Sequence, residues 1–110
     1  MSSSFKRRKE FRNLQQLVSK ESINQWFKRV KKDADDCDFG DYELEERIKE
    51  QFVLGMEKGQ ILDRMLKENP RLPQQDIVKV ALKMEKELQI IQKLPDRRNY
   101  YSYIQITFYL

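Results

Sequence analysis

Residues Lys20 to Phe39 read KESINQWFKRVKKDADDCDF. Ile23, Trp26, Phe27, Val30, Ala34 and Cys37 follow at steps of three, one, three, four and three, which is one face of an α-helix. Ser22 is placed to cap the start, and Gln25, three residues on, completes a capping box. A helix is therefore predicted over about Ser22 to Asp36. The stretch holds the only Trp and the only Cys of the chain, and the charge changes sign within it.

Upstream, Phe5, Phe11, Leu14, Leu17 and Val18 recur at helical spacing, so a first helix is expected from about Phe5 to Val18. Downstream, Asp41 is the expected N-cap of a third helix, about Glu43 to Met56. Its early acidic residues, Glu43, Glu45 and Glu46, suit the positive end of the helix dipole. Its apolar face is Leu44, Ile48, Phe52 and Gly55, widened by Val53 and Met56, and Gly55 and Gly59 flank a short break. A short fourth helix is expected over Gln60 to Lys67, stopped by Asn69-Pro70 because the residue before a proline disfavours helical backbone. Leu72 and Pro73 open a fifth, reaching about Gln92 and lined by Ile77, Val80 or Ala81, Met84, Leu88 and Ile91. Two heptads are short for a coiled coil, so packing into the same bundle is expected. The expected fold is all-α: a small bundle of about five helices with a non-helical tail. The tail, NYYSYIQITFYL from Asn99 to Leu110, reads as a short strand or a loosely ordered aromatic end.

At 110 residues one domain, or one domain with tails, is expected, able to bury roughly 60–65% of its unfolded surface. Charged residues form 36% and apolar residues 39%, a mix that favours compact helical protein over sandwich or disorder. No apolar run approaches a membrane span, and MSSSFKRRKEF lacks the apolar core of a secretory signal. Cys37 alone forms no internal disulfide and fits a reducing compartment, so a cytoplasmic location is expected. With no His, Ser–His and Cys–His catalysis fall away, as do zinc knuckles and most zinc sites. There is no Gly-rich phosphate loop. Asp38-Phe39-Gly40 spells a kinase triplet without its companion motifs. Asp35, Gly40 and Glu46 fall on three positions of a calcium loop, but Cys37 and Phe39 occupy two others where hard oxygen ligands are needed. No cofactor, metal or enzymatic activity is expected.

Charge is segregated. Residues 1–32 carry ten Lys/Arg and two Glu; residues 33–57 carry ten Asp/Glu and two cations. Opposite blocks either pair head-to-tail between copies or cover opposite faces of one bundle. Lys6, Arg7, Arg8 and Lys9, with Lys28, Lys31 and Lys32, are the candidate nucleic-acid contacts. The first four also fit nuclear import, or simply a solvated terminus.

The order of residue types adds a resemblance. Phe11, Gln15 or Gln16, Glu21-Ser22-Ile23, Trp26 or Phe27, and Cys37-Asp38-Phe39-Gly40 come first. Ile48, Gln51-Phe52-Val53, Gly55-Met56, Ile61 and Met65-Leu66 follow. This order resembles the capsid region of the Gag polyprotein of Gypsy-type LTR retrotransposons, across residues 8–92. Glu21, Trp26 and Arg29 also resemble the major homology region of retroviral capsids, where an aromatic stands five and an Arg eight residues after a Glu. There, a Gln, the Glu and the Arg tie the turn before the helix into a polar network. Gln16 sits one residue further from Glu21 than in the family, and Leu17 stands where Gly is usual.

The resemblance implies that residues 1–18 contain the last helix of a capsid N-terminal domain. It implies that residues 19–92 form the four-helix C-terminal domain and that 93–110 is a tail. It also implies a truncated or host-retained Gag fragment, non-enzymatic, acting by self-association or capsid assembly. A homodimer or homo-oligomer is the expected partner state, with Leu44, Ile48 and Phe52 as the candidate self-association face; burial inside the monomer is the competing reading for these three. Two alternatives stand beside it. One is a nucleic-acid-binding accessory protein using the basic N-terminal segment. The other is an adaptor or inhibitor that docks on full-length Gag.

Overall fold

The computed structural model describes residues 4–17 and 20–92. The aromatic stretch 99–110 and Val18, the expected end of the first helix, lie outside the described residues. Among those described, the chain is all-helical, with five helices and no strands: α1 (Ser4–Arg12), α2 (Ile23–Asp35), α3 (Asp41–Leu54), α4 (Gln60–Met65) and α5 (Gln74–Gln92). No helix among them is long and apolar enough to cross a membrane.

The centre is α2. Ser22 adopts extended backbone and makes both bonds of the capping box: the Gln25 N–H donates to its Oγ (3.2 Å), and its own N–H donates to Gln25 Oε1 (2.9 Å). Ile23, Trp26, Val30, Ala34 and, past the helix end, Cys37 are buried. They pack against Ile48, Phe52 and Met56 of the α3 segment and Ile77, Val78 and Ala81 of α5. Trp26 and Phe52 are wholly buried. Each such side chain contributes about 1.5–3 kcal/mol through its removal from water. Phe27 meets Phe52 edge-on, with centroids 5.5 Å apart. On α5 the buried residues are Ile77, Val78, Ala81, Met84 and Ile91; Ala81 is wholly buried and Val80 packs half-buried against the same core.

Three boundaries differ from expectation for identifiable reasons. The first helix stops at Arg12, short of Val18. Its next residues instead pair with the end of α3: the Gln16 N–H donates to Gly55 O (2.7 Å), and Gln51 Nε2 donates to Leu14 O (2.8 Å). Those bonds hold residues 14–16 out of helical geometry, and Leu17 is left exposed. The N-cap of α3 is Gly40, so Asp41 sits inside the first turn and acts through the helix dipole rather than as a cap. The fourth helix ends at Met65, and Asn69 Oδ1 accepts the Arg71 N–H (2.9 Å) in a turn around Pro70.

Two polar contacts join distant segments. Glu85 of α5 accepts the Ile23 N–H through Oε2 (2.8 Å), satisfying a donor at the start of α2. Lys49, on the buried side of α3, donates to Pro70 O (2.6 Å), Leu72 O (2.9 Å) and Glu46 Oε1 (3.1 Å), so its buried ammonium is fully used.

Candidate functional site

Among the described residues, a dense polar arrangement lies where residues 14–17 and 20–22 meet α2. Glu21 precedes the cap Ser22, and Arg29 stands two turns along α2 on the same side. Arg29 grips the carboxylate with two bonds, Nε to Oε2 (2.8 Å) and Nη2 to Oε1 (2.9 Å). Paired bonds of this kind are among the strongest a side chain makes. The same Nη2 donates to Gln15 O, and the guanidinium lies 5.0 Å from the centroid of the Trp26 ring. Glu21 Oε1 also accepts the Leu17 N–H (3.0 Å). Gln16, itself buried, uses both ends of its amide: Nε2 donates to Glu21 O (2.9 Å), and Oε1 accepts the Glu57 N–H (2.9 Å). Beneath them, the Trp26 indole N–H donates to Phe52 O (2.9 Å).

Gln16, Glu21, Trp26 and Arg29, singled out in the sequence, are thus brought together around one turn. Gln16 bonds the Glu21 backbone carbonyl, while the Glu21 carboxylate turns to Arg29 and the Leu17 N–H. The two-pronged bond from Arg29 holds the Glu21 carboxyl below its ordinary pKa; burial opposes it, and the Leu17 N–H adds to it. Glu21 in turn raises Arg29. The bonds of this tie position the segment before α2, and Gln16 and Glu21 also line a surface recess of about 360 Å³ with Glu57, Gln60 and Glu85.

Gly55 makes the close approach possible. A Cβ there would stand 2.4 Å from Leu14 O and 2.8 Å from Trp26 Cζ2, so any side chain would push the 14–16 segment off α3. Gln51, Gly55 and Glu57 were not among the sequence candidates for this network. Their signal was the run QFVLGM, which reads as one helix end but also carries the partners of residues 14–16.

The candidate self-association face is corrected by the fold. Ile48 and Phe52 are 5% and 0% exposed, and Leu44 packs against the same core. The apolar stripe of α3 faces the core, so Ile48 and Phe52 are not a surface, while Leu44 is half-buried at its margin. The exposed apolar residues of α3 are instead Tyr42 and Leu54. Leu54 lines a groove of about 280 Å³ with Val53, Met65, Leu66 and Ile77, edged by Glu46, Glu50 and Glu68.

The basic candidates separate. Arg8 donates to Cys37 O (3.1 Å) and Asp38 O (2.8 Å) and lies over the Phe39 ring. Arg7 donates to Asp36 O (3.3 Å) and faces the Asp36 carboxylate at 3.9 Å. Both therefore fasten α1 to the carbonyls at the end of α2, where the helix dipole favours cations. Arg8 is half-buried by these contacts, whereas Arg7 keeps 44% of its side chain exposed. Lys31 lies over Phe27, while Lys6, Lys9, Lys28 and Lys32 are exposed. The cleft between α1 and α2 is lined by Glu10, Asp33 and Asp36 as well as Lys6 and Arg7. Cys37 is buried there, its thiol directed to Asp33 O and Arg7 O. Burial, then the charges of Asp33 and Asp36, push its pKa up. Among the described residues, no group of three or more His, Cys, Asp or Glu is arranged to hold a metal.

No protein-family model, curated protein or solved structure matches the chain.

Proposed function

We propose that the chain is a non-enzymatic capsid-type module, of the kind found in the Gag polyproteins of Gypsy-type LTR retrotransposons, and that it works by self-association. The observation that carries this reading is the closed tie of Gln16, Glu21 and Arg29 over Trp26. These residue types, in this order, resemble the major homology region, and they meet in one hydrogen-bonded network. In this reading α1 corresponds to the last helix of a capsid N-terminal domain and α2–α5 to the four-helix C-terminal domain. The tie has a mechanical role: it fixes the segment between α1 and α2, so that surfaces on the two are presented in one relative orientation.

A small helical domain of this kind commonly gains stability by pairing. The expected compartment is the cytoplasm, where Cys37 stays reduced. Light scattering across a concentration series tests the reading. A molar mass that rises with concentration is expected; a strict monomer at the highest concentration refutes self-association. A nucleic-acid role through Lys6, Lys9, Lys28 and Lys32 competes with it, and a salt titration separates the two, since phosphate binding falls steeply with salt. The acidic block from Asp33 to Glu57 opposes that role. Docking on full-length Gag would appear as a mixed complex in a pull-down.

A further inference from the structure

We infer that copies of this chain associate head-to-tail, with the outward face of α1 from one copy seated in the groove between α3, α4 and the start of α5 of the next. The inference rests on the self-association reading and names the two surfaces.

The groove is apolar at its base and acidic at its edge. Leu54 and Leu66 are 62% and 60% exposed, unusual for leucines that flank buried Met65 and Ile77. Along one edge Glu46 and Glu50 stand one helical turn apart, about 6 Å along the axis. Each has a cation of its own chain nearby, Lys49 and Arg47, yet their side chains stay 67% and 58% exposed. The whole of α3 carries five carboxylates against two cations.

The outward face of α1 is the complement. Phe5, Lys9 and Arg12 fall at i, i+4 and i+7, one side of a helix. They line a shallow surface recess with Arg8 and Asn13, and Phe5 is 80% exposed. The helix holds five cations against one carboxylate. An aromatic anchor followed by two cations one and two turns on therefore matches an apolar groove followed by two carboxylates one turn apart. Among the described residues, those that line the α1 recess all belong to α1 and the turn that follows it. Arg7 and Arg8 hold α1 on the end of its own α2, while Phe5, Lys9 and Arg12 stay exposed to solvent. Because the two surfaces differ, the contact is heterologous and propagates into open chains or rings instead of closing as a two-fold dimer.

Sedimentation velocity on the full chain tests it with two surface variants, Phe5→Glu and the double variant Leu54→Glu/Leu66→Glu. Circular dichroism is run first on both to show that the helices persist. Each variant alone is expected to associate at least tenfold more weakly than the parent. An equimolar mixture is expected to form one-to-one pairs, since one partner keeps α1 and the other keeps the groove. The association is also expected to weaken as salt rises, and Lys9→Glu/Arg12→Glu is expected to be restored by mixing with Glu46→Lys/Glu50→Lys. Parent-like association of Phe5→Glu overturns the inference while leaving self-association standing. Loss in the groove variant alone, with Phe5→Glu unaffected, means that another segment fills the groove and also overturns it. Two variants that both fail and are not rescued by mixing point to a symmetric contact and overturn it too. A parent chain that is strictly monomeric removes both readings.

Discussion

Replacing Arg29 with Met keeps the length and apolar stem of the side chain and removes its guanidinium. The losses are two charged bonds to Glu21, one to Gln15 O, and the stack on Trp26. What remains is a carboxylate only 9% exposed, with the Leu17 N–H as a donor. Breaking a buried pair costs about 3–5 kcal/mol, and an exposed pair about 0.2–1. Arg29 is 31% exposed, so the expected loss lies between, about 2–3 kcal/mol. For a domain near this size, that corresponds to a fall of roughly 10–20 °C in Tm. Urea unfolding followed by the fluorescence of Trp26, the single and wholly buried Trp, reads it directly. The pH dependence sharpens the test. Pairing holds the folded Glu21 carboxyl below its unfolded pKa. Its contribution is therefore complete above the ordinary glutamate range and is lost as pH falls through the lower folded value. The stability gap between parent and Arg29→Met should thus be full at about pH 7 and shrink towards about pH 3. A loss below about 0.5 kcal/mol, or a gap unchanged in acid, would refute the view that this tie is a buried, charge-dependent lock.

Gly55→Ala is expected to destabilise by about 1–3 kcal/mol, because the new methyl meets Leu14 O and the Trp26 ring. The sign decides it: an unstrained Gly→Ala change stabilises by about 0.4–1 kcal/mol, so a rise in Tm would contradict the close approach. Lys49→Met should cost about 1–3 kcal/mol by leaving Pro70 O and Leu72 O without their donor, whereas Lys86→Met, at an exposed position, should stay within about 0.5; equal urea midpoints for the two would rule out the clamp. Cys37 should alkylate far more slowly in the folded protein than in urea near neutral pH, because the thiol is buried and its pKa raised; comparable rates would show that the α1–α2 cleft opens freely.

Much of the fold was legible because local signals agreed with one another. In α2 the apolar spacing, the Ser22 cap and Gln25 all specify the same helix, and tertiary packing confirms that choice of face. The start of α4 and the end of α5 were equally local, bounded by Gly59 before Gln60 and by the apolar line reaching Ile91. The first helix was misjudged at its end because Leu14 and Leu17 keep helical spacing, while the bonds that pull residues 14–16 away come from Gln51 and Gly55, some forty positions on. For the same reason Leu44, Ile48 and Phe52 read as either surface or core: a stripe on α3 declares that it will be covered, not by what.

The polar groups divide along the same line. From the sequence alone came the helical class and the α2 face, because short-range spacing carries those facts; the group Gln16, Glu21, Trp26 and Arg29 was implied only by a resemblance to a family motif. Only the tertiary structure decided that Arg7 and Arg8 bond the carbonyls at the end of α2, that Lys49 is buried beneath residues 70–72, and that Leu54 and Leu66 share one groove. A cation is recorded in sequence only as a charge. Whether it meets carbonyls, carboxylates or water depends on which distant backbone the hydrophobic core brings beside it.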